Sequence, residues 1–255
     1  MPAPDAFLDA CDRAPHDTSA GPCELPILYR DASQFGVFFA VDLERARDVV
    51  GRDRSVEPWP VFGRAFAAIY VWEYRDSTVG AYGELGLGVQ CRRVGASPSL
   101  MTLARDMGAQ DDQGIWVASL PVTTEAARVA GVDLWGFPKY VTSMETTFTT
   151  GEASVRLGDE LTLRLPGPSG PTLAGQPVVT YTEKAGRLLR TRIDVDHRVQ
   201  WGLGGGAHLE LRADGPTTEL ARRLGLDRAR IVAAFRTDGF RARLPAGKDV
   251  GPSTR

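Results

Sequence analysis

The stretch Tyr140-Val-Thr-Ser-Met-Glu-Thr-Thr-Phe-Thr149 alternates residue by residue. Thr142, Met144, Thr146 and Phe148 fall on one face, with Val141, Ser143, Glu145 and Thr147 on the other. A period of two marks a strand half-covered by a core. Thr150-Gly151 breaks the pattern, residues 153–156 resume it, Gly158-Asp159 breaks it again, and residues 161–165 alternate once more. Outward from there, strand-like runs recur at 24–29, 36–41, 66–74, 82–91, 114–122, 178–182, 188–195, 208–212 and 231–244. Short strands separated by turn signals predict a mainly β chain, an antiparallel sandwich or barrel instead of a βαβ array.

Three short helices interrupt the strands. Asp42 is a natural N-cap for one that carries Ala46, Val49 and Val50, and residues 123–130 begin a second that stops at Gly131. A third starts at Thr217. The Pro/Gly-rich 166–177 is the most linker-like stretch, but the strands on both sides look alike. Residues 1–255 are therefore read as one β-rich domain, with 1–23 and 246–255 flexible or peripheral.

The 255 residues carry 30 basic and 32 acidic side chains, for a formal net charge of −2, and 43% are apolar. Without a basic tail or face there is no electrostatic footprint for nucleic acid or an anionic membrane. Cys11, Cys23 and Cys91 are an odd, scattered set with no C-x-x-C pair, which fits a reducing cytoplasm. The N-terminal residues lack the basic and apolar regions of a signal peptide, and no run approaches 18 apolar residues. The expectation is a cytoplasmic globule with neither nucleic-acid nor membrane partners.

Two motifs fail on context. Gly202-Leu-Gly-Gly-Gly-Ala207 has the spacing of a dinucleotide fingerprint but leads into the strand-like His208-Leu-Glu-Leu, where that motif needs a helix. It is read as a turn. His16, His197 and His208 form no ligand pair, and Asp194, Asp196 and His197 read as solvated loop residues. No metal and no cofactor are expected.

Arginine supplies nearly all the positive charge; the three lysines are Lys139, Lys184 and Lys248. Lys184 and Lys248 sit in polar company, whereas Leu134-Trp-Gly-Phe-Pro-Lys-Tyr140 surrounds Lys139 with apolar and aromatic residues. Guanidinium stays protonated, so chemistry that demands lysine over arginine is attack by a neutral amine, which apolar surroundings favour. Such an amine adds to a ketone to form a Schiff base, whose iminium accepts electrons from a breaking bond. The plain alternative is a snorkelling lysine whose stem packs on Trp135 while its head reaches water. Glu84 lies opposite the apolar face of Leu85, Leu87 and Val89, beside the small Gly86 and Gly88. In a barrel that face lines a cavity; otherwise it is a solvated glutamate.

Leu134-Trp-Gly-Phe-Pro-Lys-Tyr140, preceded by Pro121-Val-Thr-Thr-Glu-Ala-Ala-Arg-Val-Ala-Gly-Val-Asp133, resembles the acetoacetate decarboxylase family, in which a short helix leads into a G-[FY]-P-K turn bearing the Schiff-base lysine. Asp76-Ser-Thr-Val-Gly-Ala-Tyr-Gly-Glu-Leu85 resembles its Tyr-x-Glu segment, and Val41-Asp-Leu-Glu-Arg-Ala-Arg-Asp-Val-Val50 its early helix. The resemblance covers residues 24–245. It implies a closed cone-like β-barrel with a few peripheral short helices, a homo-oligomer, and a cofactor-independent lyase acting on a keto acid or ketone. Lys139, Glu84 and Tyr140 become the catalytic candidates, with Tyr82, Trp135 and Phe137 contacting substrate.

The sequence departs from the family where decarboxylation is concerned. Tyr140 occupies the place of a second lysine and is read as a general acid. The family's pocket arginine falls near Ala32 and its further glutamate near Tyr70, although a shifted alignment brings Arg30 into the arginine's place. Aldol, dehydration or cyclisation chemistry is therefore favoured over acetoacetate decarboxylation. A β-keto acid decarboxylase and a non-covalent binding or cyclase barrel for a hydrophobic small molecule stand as alternatives.

Overall fold

In the computed structural model, which describes residues 5–96, 112–167 and 169–254, the chain is built mainly of strands. Pro168, in the linker-like stretch, and the extreme ends 1–4 and 255 lie outside the described residues. Strand β1 (Ala14–Thr18) and β2 (Gly21–Leu25) make a hairpin, followed by the long β3 (Ile27–Val41), helix α1 (Leu43–Val50) and the short β4 (Val56–Pro58). Then come β5 (Ala65–Ser77), β6 (Tyr82–Arg93), β7 (Gln113–Ser119) and α2 (Glu125–Trp135). β8 (Met144–Phe148), β9 (Glu152–Leu157) and β10 (Leu161–Pro166) form a meander. β11 (Thr172–Ala174), β12 (Val178–Lys184), β13 (Arg187–Val195), β14 (Arg198–Gly202) and β15 (His208–Leu211) follow. Helix α3 (Pro216–Leu224), β16 (Arg230–Leu244) and β17 (Lys248–Pro252) complete the chain.

The large sheet runs β16-β3-β5-β6-β7-β12-β13, and β13 pairs back to β16 through Asp194↔Arg243 and Val195↔Ala242, so the pairing path is a ring of seven strands. The β7–β12 step is parallel; the other steps are antiparallel. A separate four-stranded sheet, β15-β10-β9-β8, packs on one face of β3, β5 and β6. That face buries Phe35, Val37, Phe39, Ile69, Val71, Leu85, Leu87 and Val89 with the apolar sides of α1 and α3. The other face carries a second core of Tyr29, Tyr74, Tyr82, Leu120, Val122, Trp135, Phe137 and Phe240. Strict alternation along β6 therefore sends Leu85 and Leu87 to one core and Tyr82 and Glu84 to the other.

Several elements differ from the sequence reading. β3 merges two expected strands across Arg30–Gln34; register shifts near Asp31 keep the hydrogen-bonded ladder going through a stretch whose polar residues suggested a gap. The strand expected over 140–149 is regular only at Met144–Phe148, because residues 138–142 pair instead with 120–122. The second helix passes through Gly131 and ends at Gly136. β1, β4, β11, β14 and β17 lie outside the expected strands; each has five residues or fewer, too few to show a periodicity. The N-terminal hairpin is tied to α2 by Ser19, which donates to Asp133, and β17 pairs with β13 at the sheet edge. Residues 203–207 connect two strands, as expected for a turn. No helix of the described residues is long and apolar enough to cross a membrane.

Candidate active site

Lys139 and Glu84 are brought together by a short strand-like bridge between them. Residues 120–123 pair with β6 on one side, where Leu85 N–H donates to the Pro121 carbonyl and Val122 bridges Glu84. On the other side Leu120 N–H donates to Pro138 and Val122 N–H to Tyr140, while Val122 accepts from Thr142 N–H. The lysine is aimed by the helix before it. Thr124 caps α2, accepting from Ala127 N–H, and Gly136 ends it at φ 64°. Phe137 N–H reaches back to the Gly131 carbonyl and Gly136 N–H to Val132, a Schellman-type close that needs a left-handed residue at the cap. Gly131 itself makes room, because a Cβ there would lie 2.5 Å from both Cδ and Cε of Lys139.

The ammonium of Lys139 donates to Oε2 of Glu84 at 2.6 Å, and the two side chains are 5% and 9% exposed. A side chain this buried, with its ammonium on a carboxylate, speaks against the snorkelling alternative. A buried ion pair is poor value for stability, since desolvation offsets most of its Coulomb energy. Tyr82 and Phe137 face the same nitrogen, their ring centroids 5.6 and 5.8 Å from Nζ.

Two tyrosines that the sequence reading missed complete the cluster. Tyr74 donates to Oε1 of Glu84 across 3.5 Å, and the hydroxyls of Tyr29 and Tyr82 are 3.0 Å apart. The rings pack closely at a tilt, Tyr29 against Tyr74 at 4.4 Å and Tyr74 against Tyr82 at 4.6 Å between centroids. Burial first, then the nearby Glu84 carboxylate, pushes the three phenols well above their ordinary range, so they stay protonated donors. The signal for Tyr74 was present: Tyr74 and Tyr82 flank the turn at 78–80 and are cross-strand partners.

The remaining candidates are placed elsewhere. Trp135 is 1% exposed, donates its indole N–H to the Pro245 carbonyl at 2.9 Å and stacks behind Phe137. Tyr140 faces away from Lys139, as neighbours in an extended segment must. Its hydroxyl donates to Glu160 Oε1 and meets Thr217 Oγ1, both at 2.8 Å. The other oxygen of Glu160 accepts from the Thr217 and Thr218 N–H groups, capping α3. Tyr140 therefore fastens a helix instead of reaching the amine, a correction to the general-acid expectation. Arg30 is exposed and paired with Asp76, so it does not take the place of a pocket arginine, and Ala32 is buried in the second core. Asp194 and Asp196 pair with arginines, but His197 is half-buried against Phe240 where a solvated loop residue was expected.

Two concavities among the described residues lie outside this cluster. A polar cleft of about 1000 Å³ is lined by Glu73, Arg75, Gln200, Arg236 and Asp238, and a smaller one of about 260 Å³ by Arg54, Trp116 and Glu183. Their charged groups are paired within the protein, Arg75 with Asp31, Arg236 with Asp238 and Arg54 with Glu183, and these pairs are more exposed than Lys139–Glu84.

The family profile for acetoacetate decarboxylase (ADC) matches residues 13–165, a span holding both Glu84 and Lys139. No curated protein sequence matches the chain. Among solved structures, an acetoacetate decarboxylase from Legionella pneumophila is similar with a TM-score of 0.66 and 18% identity over 99% of this chain and 93% of that one. The enduracididine biosynthesis enzyme MppR complexed with pyruvate gives 0.64 and 14% over 92% and 94%. An acetoacetate decarboxylase-like enzyme from Sphingomonas wittichii RW1 gives 0.62 and 12% over 94% and 100%. A profile that spans more than half the sequence and carries both members of the buried pair places the chain in the acetoacetate decarboxylase family.

Proposed function

We propose that the chain is a cofactor-independent lyase that forms a Schiff base between Lys139 and a keto acid or ketone. The single observation behind this is the 2.6 Å contact between Lys139 Nζ and Glu84 in a nearly dry, tyrosine-walled site. Lys139 passes a proton to Glu84, and the freed Nζ lone pair adds to the substrate carbonyl carbon. One proton moves from Nζ to the new alkoxide, the hydroxyl then takes the proton held by Glu84 and leaves as water, and the iminium remains beside the Glu84 carboxylate. Glu84 then removes an α-proton to give an enamine, which attacks a second carbonyl or eliminates a β-hydroxyl. The buried phenols of Tyr74 and Tyr82 hydrogen-bond the oxygens as charge develops on them.

Aldol, dehydration or cyclisation fits this site better than decarboxylation. Ala32, Tyr70 and Tyr140 stand where the family's decarboxylating residues are expected, and Tyr140 is committed to Glu160. Pyruvate bound to MppR, a relative in fold, is consistent with a small oxo acid as one reactant. The same reading takes the ring of seven strands as a closed, cone-like cup around the site, in a cytoplasmic homo-oligomer. Borohydride reduction in the presence of pyruvate or a ketone tests it. The expected result is a mass increase mapped to Lys139; absence of any adduct across a panel of ketones would return the protein to a non-covalent binder.

A further inference from the structure

On the ring's Glu84 face, register sets Gln34, Trp72 and Glu84 side by side: Gln34 pairs with Trp72, and Trp72 pairs with Glu84. This row lies between two aromatic ones. Phe240, Tyr74 and Tyr82 lie on one side, and Trp201, Phe235 and Tyr70 on the other. Within this apolar wall the Trp72 Nε1–H is buried and has no hydrogen-bond partner. Gln34, 3% exposed, makes no side-chain hydrogen bond to any described residue. Buried donors are almost always paired, and leaving one open costs about 1–3 kcal/mol. An unpartnered indole N–H beside a side-chain amide that bonds no described residue, in adjacent register positions, offers a ligand oxygen two donors.

The Cζ3 and Cη2 edge of Trp72 lies toward β6, 3.3 and 3.7 Å from where a Gly86 Cβ would be. Nε1 is on the opposite edge of the bicycle, away from Gly86, and Gln34 is the cross-strand neighbour of Trp72 on its β3 side. Two strand spacings, about 10 Å, separate the Cα positions of Gln34 and Glu84. We propose that Trp72 and Gln34 form a distal subsite that binds a neutral oxygen acceptor, a carbonyl or hydroxyl, several carbons from the ketone that Lys139 captures. The acceptor is neutral because the nearby cations point elsewhere. Arg75 pairs with Asp31, Arg236 with Asp238, and Arg30 with Asp76. The substrate class is accordingly an extended, mostly apolar compound with at least two oxygen functions. Tyr70, Trp72 and Tyr74, stacked in sequence, contact its carbon chain.

This assignment rests on the Lys139 imine proposed above, and one experiment separates the two. A seven-carbon methyl ketone and its analogue bearing a second carbonyl near the far end are each offered to the wild type, Trp72→Phe, Gln34→Leu and Lys139→Met. Borohydride-trapped adduct and the nitrogen-15 indole resonance of Trp72 are read in parallel. The expected result is trapping of the diketone about tenfold better than the monoketone, a preference erased in both distal variants whose melting temperatures stay near wild type. The diketone alone should move the indole resonance, in Lys139→Met as well. Equal trapping of both ketones by the wild type, or a preference that survives both substitutions, overturns the distal subsite while leaving the imine standing. An indole shift without any adduct overturns the imine while leaving the subsite, and the lack of both removes both.

Discussion

At the scale of single residues, the site consists of one buried cation and one buried anion, and that fixes how substitutions will behave. Lys139→Ala and Lys139→Arg are both expected to abolish turnover and borohydride trapping, since guanidinium supplies charge but no nucleophile. More than a few per cent of residual activity in either would exclude the lysine from the mechanism. Glu84→Gln is expected to lower turnover by ~10² or more through loss of proton transfer. Each single substitution that neutralises one partner strands the other charge in a site where the side chains are 5% and 9% exposed. A stability loss of about 3 kcal/mol should accompany Lys139→Met or Glu84→Gln alone. Combining Lys139→Met with Glu84→Gln removes both charges, so the double variant should melt above either single one. Simple additivity of the two losses would show that the pair is not coupled. Tyr140→Phe makes the contrasting case. It should leave imine trapping unchanged and cost about 1 kcal/mol, because its hydroxyl serves Glu160 and Thr217.

At the scale of elements, α2 and the β13–β14 turn carry the informative predictions. Glycine within a helix normally gives way to alanine with a gain of about 1 kcal/mol. At Gly131 the new Cβ would press on the Lys139 stem, so Gly131→Ala is expected to hold or raise the melting temperature while activity falls sharply. Unchanged turnover would mean that the lysine has freedom the packing does not suggest. His197, between β13 and β14, rests on Phe240, and desolvation pushes its pKa down from 6.5 to about 4. The unfolded chain then binds a proton that the native one refuses, so this contribution is complete above about pH 6.5 and is lost as pH falls toward 4. Denaturation midpoints for wild type and His197→Asn should converge over that window; parallel curves would show that the imidazole is hydrated. Alternation made β5, β6 and β9–β10 legible in the sequence, because each buries one face at a time. Helix α2 was misjudged at its end, since Gly131 looks like a stop and only its tertiary role of clearing space for Lys139 explains its place inside the helix. β11 and β17 are edge strands whose exposed side chains leave no periodicity to read.

At the scale of the whole molecule, the ring decides which side chains meet, and this is where sequence reading reached its limit. Lys139 could be singled out by its apolar company and Glu84 by the small residues beside it, but Tyr29 and Gln34 join the site only because β3 lies two strands from β6. The same assembly decides which charges stay away. Acetoacetate is small and carries its carboxylate one carbon from the ketone, so an efficient decarboxylase must grip that anion and hold its breaking bond in line with the iminium. Here Arg30 faces Asp76 at the surface, Ala32 is buried in the tyrosine-lined core, and Tyr140 is turned toward α3. Among the described residues near Lys139, the phenols of Tyr29, Tyr74 and Tyr82 are hydrogen-bond donors, and Glu84 would repel a second carboxylate. Positioning has to come from remote contacts along the aromatic wall, which a four-carbon acid does not reach. The chain is therefore expected to release carbon dioxide from acetoacetate poorly and to act better on longer oxo compounds in aldol or dehydration assays. Measuring both on one preparation settles the matter: acetoacetate turnover on the order of 10 per second, typical of an ordinary enzyme, would mean that desolvation and the Lys139–Glu84 pair suffice without a cation to hold the carboxylate.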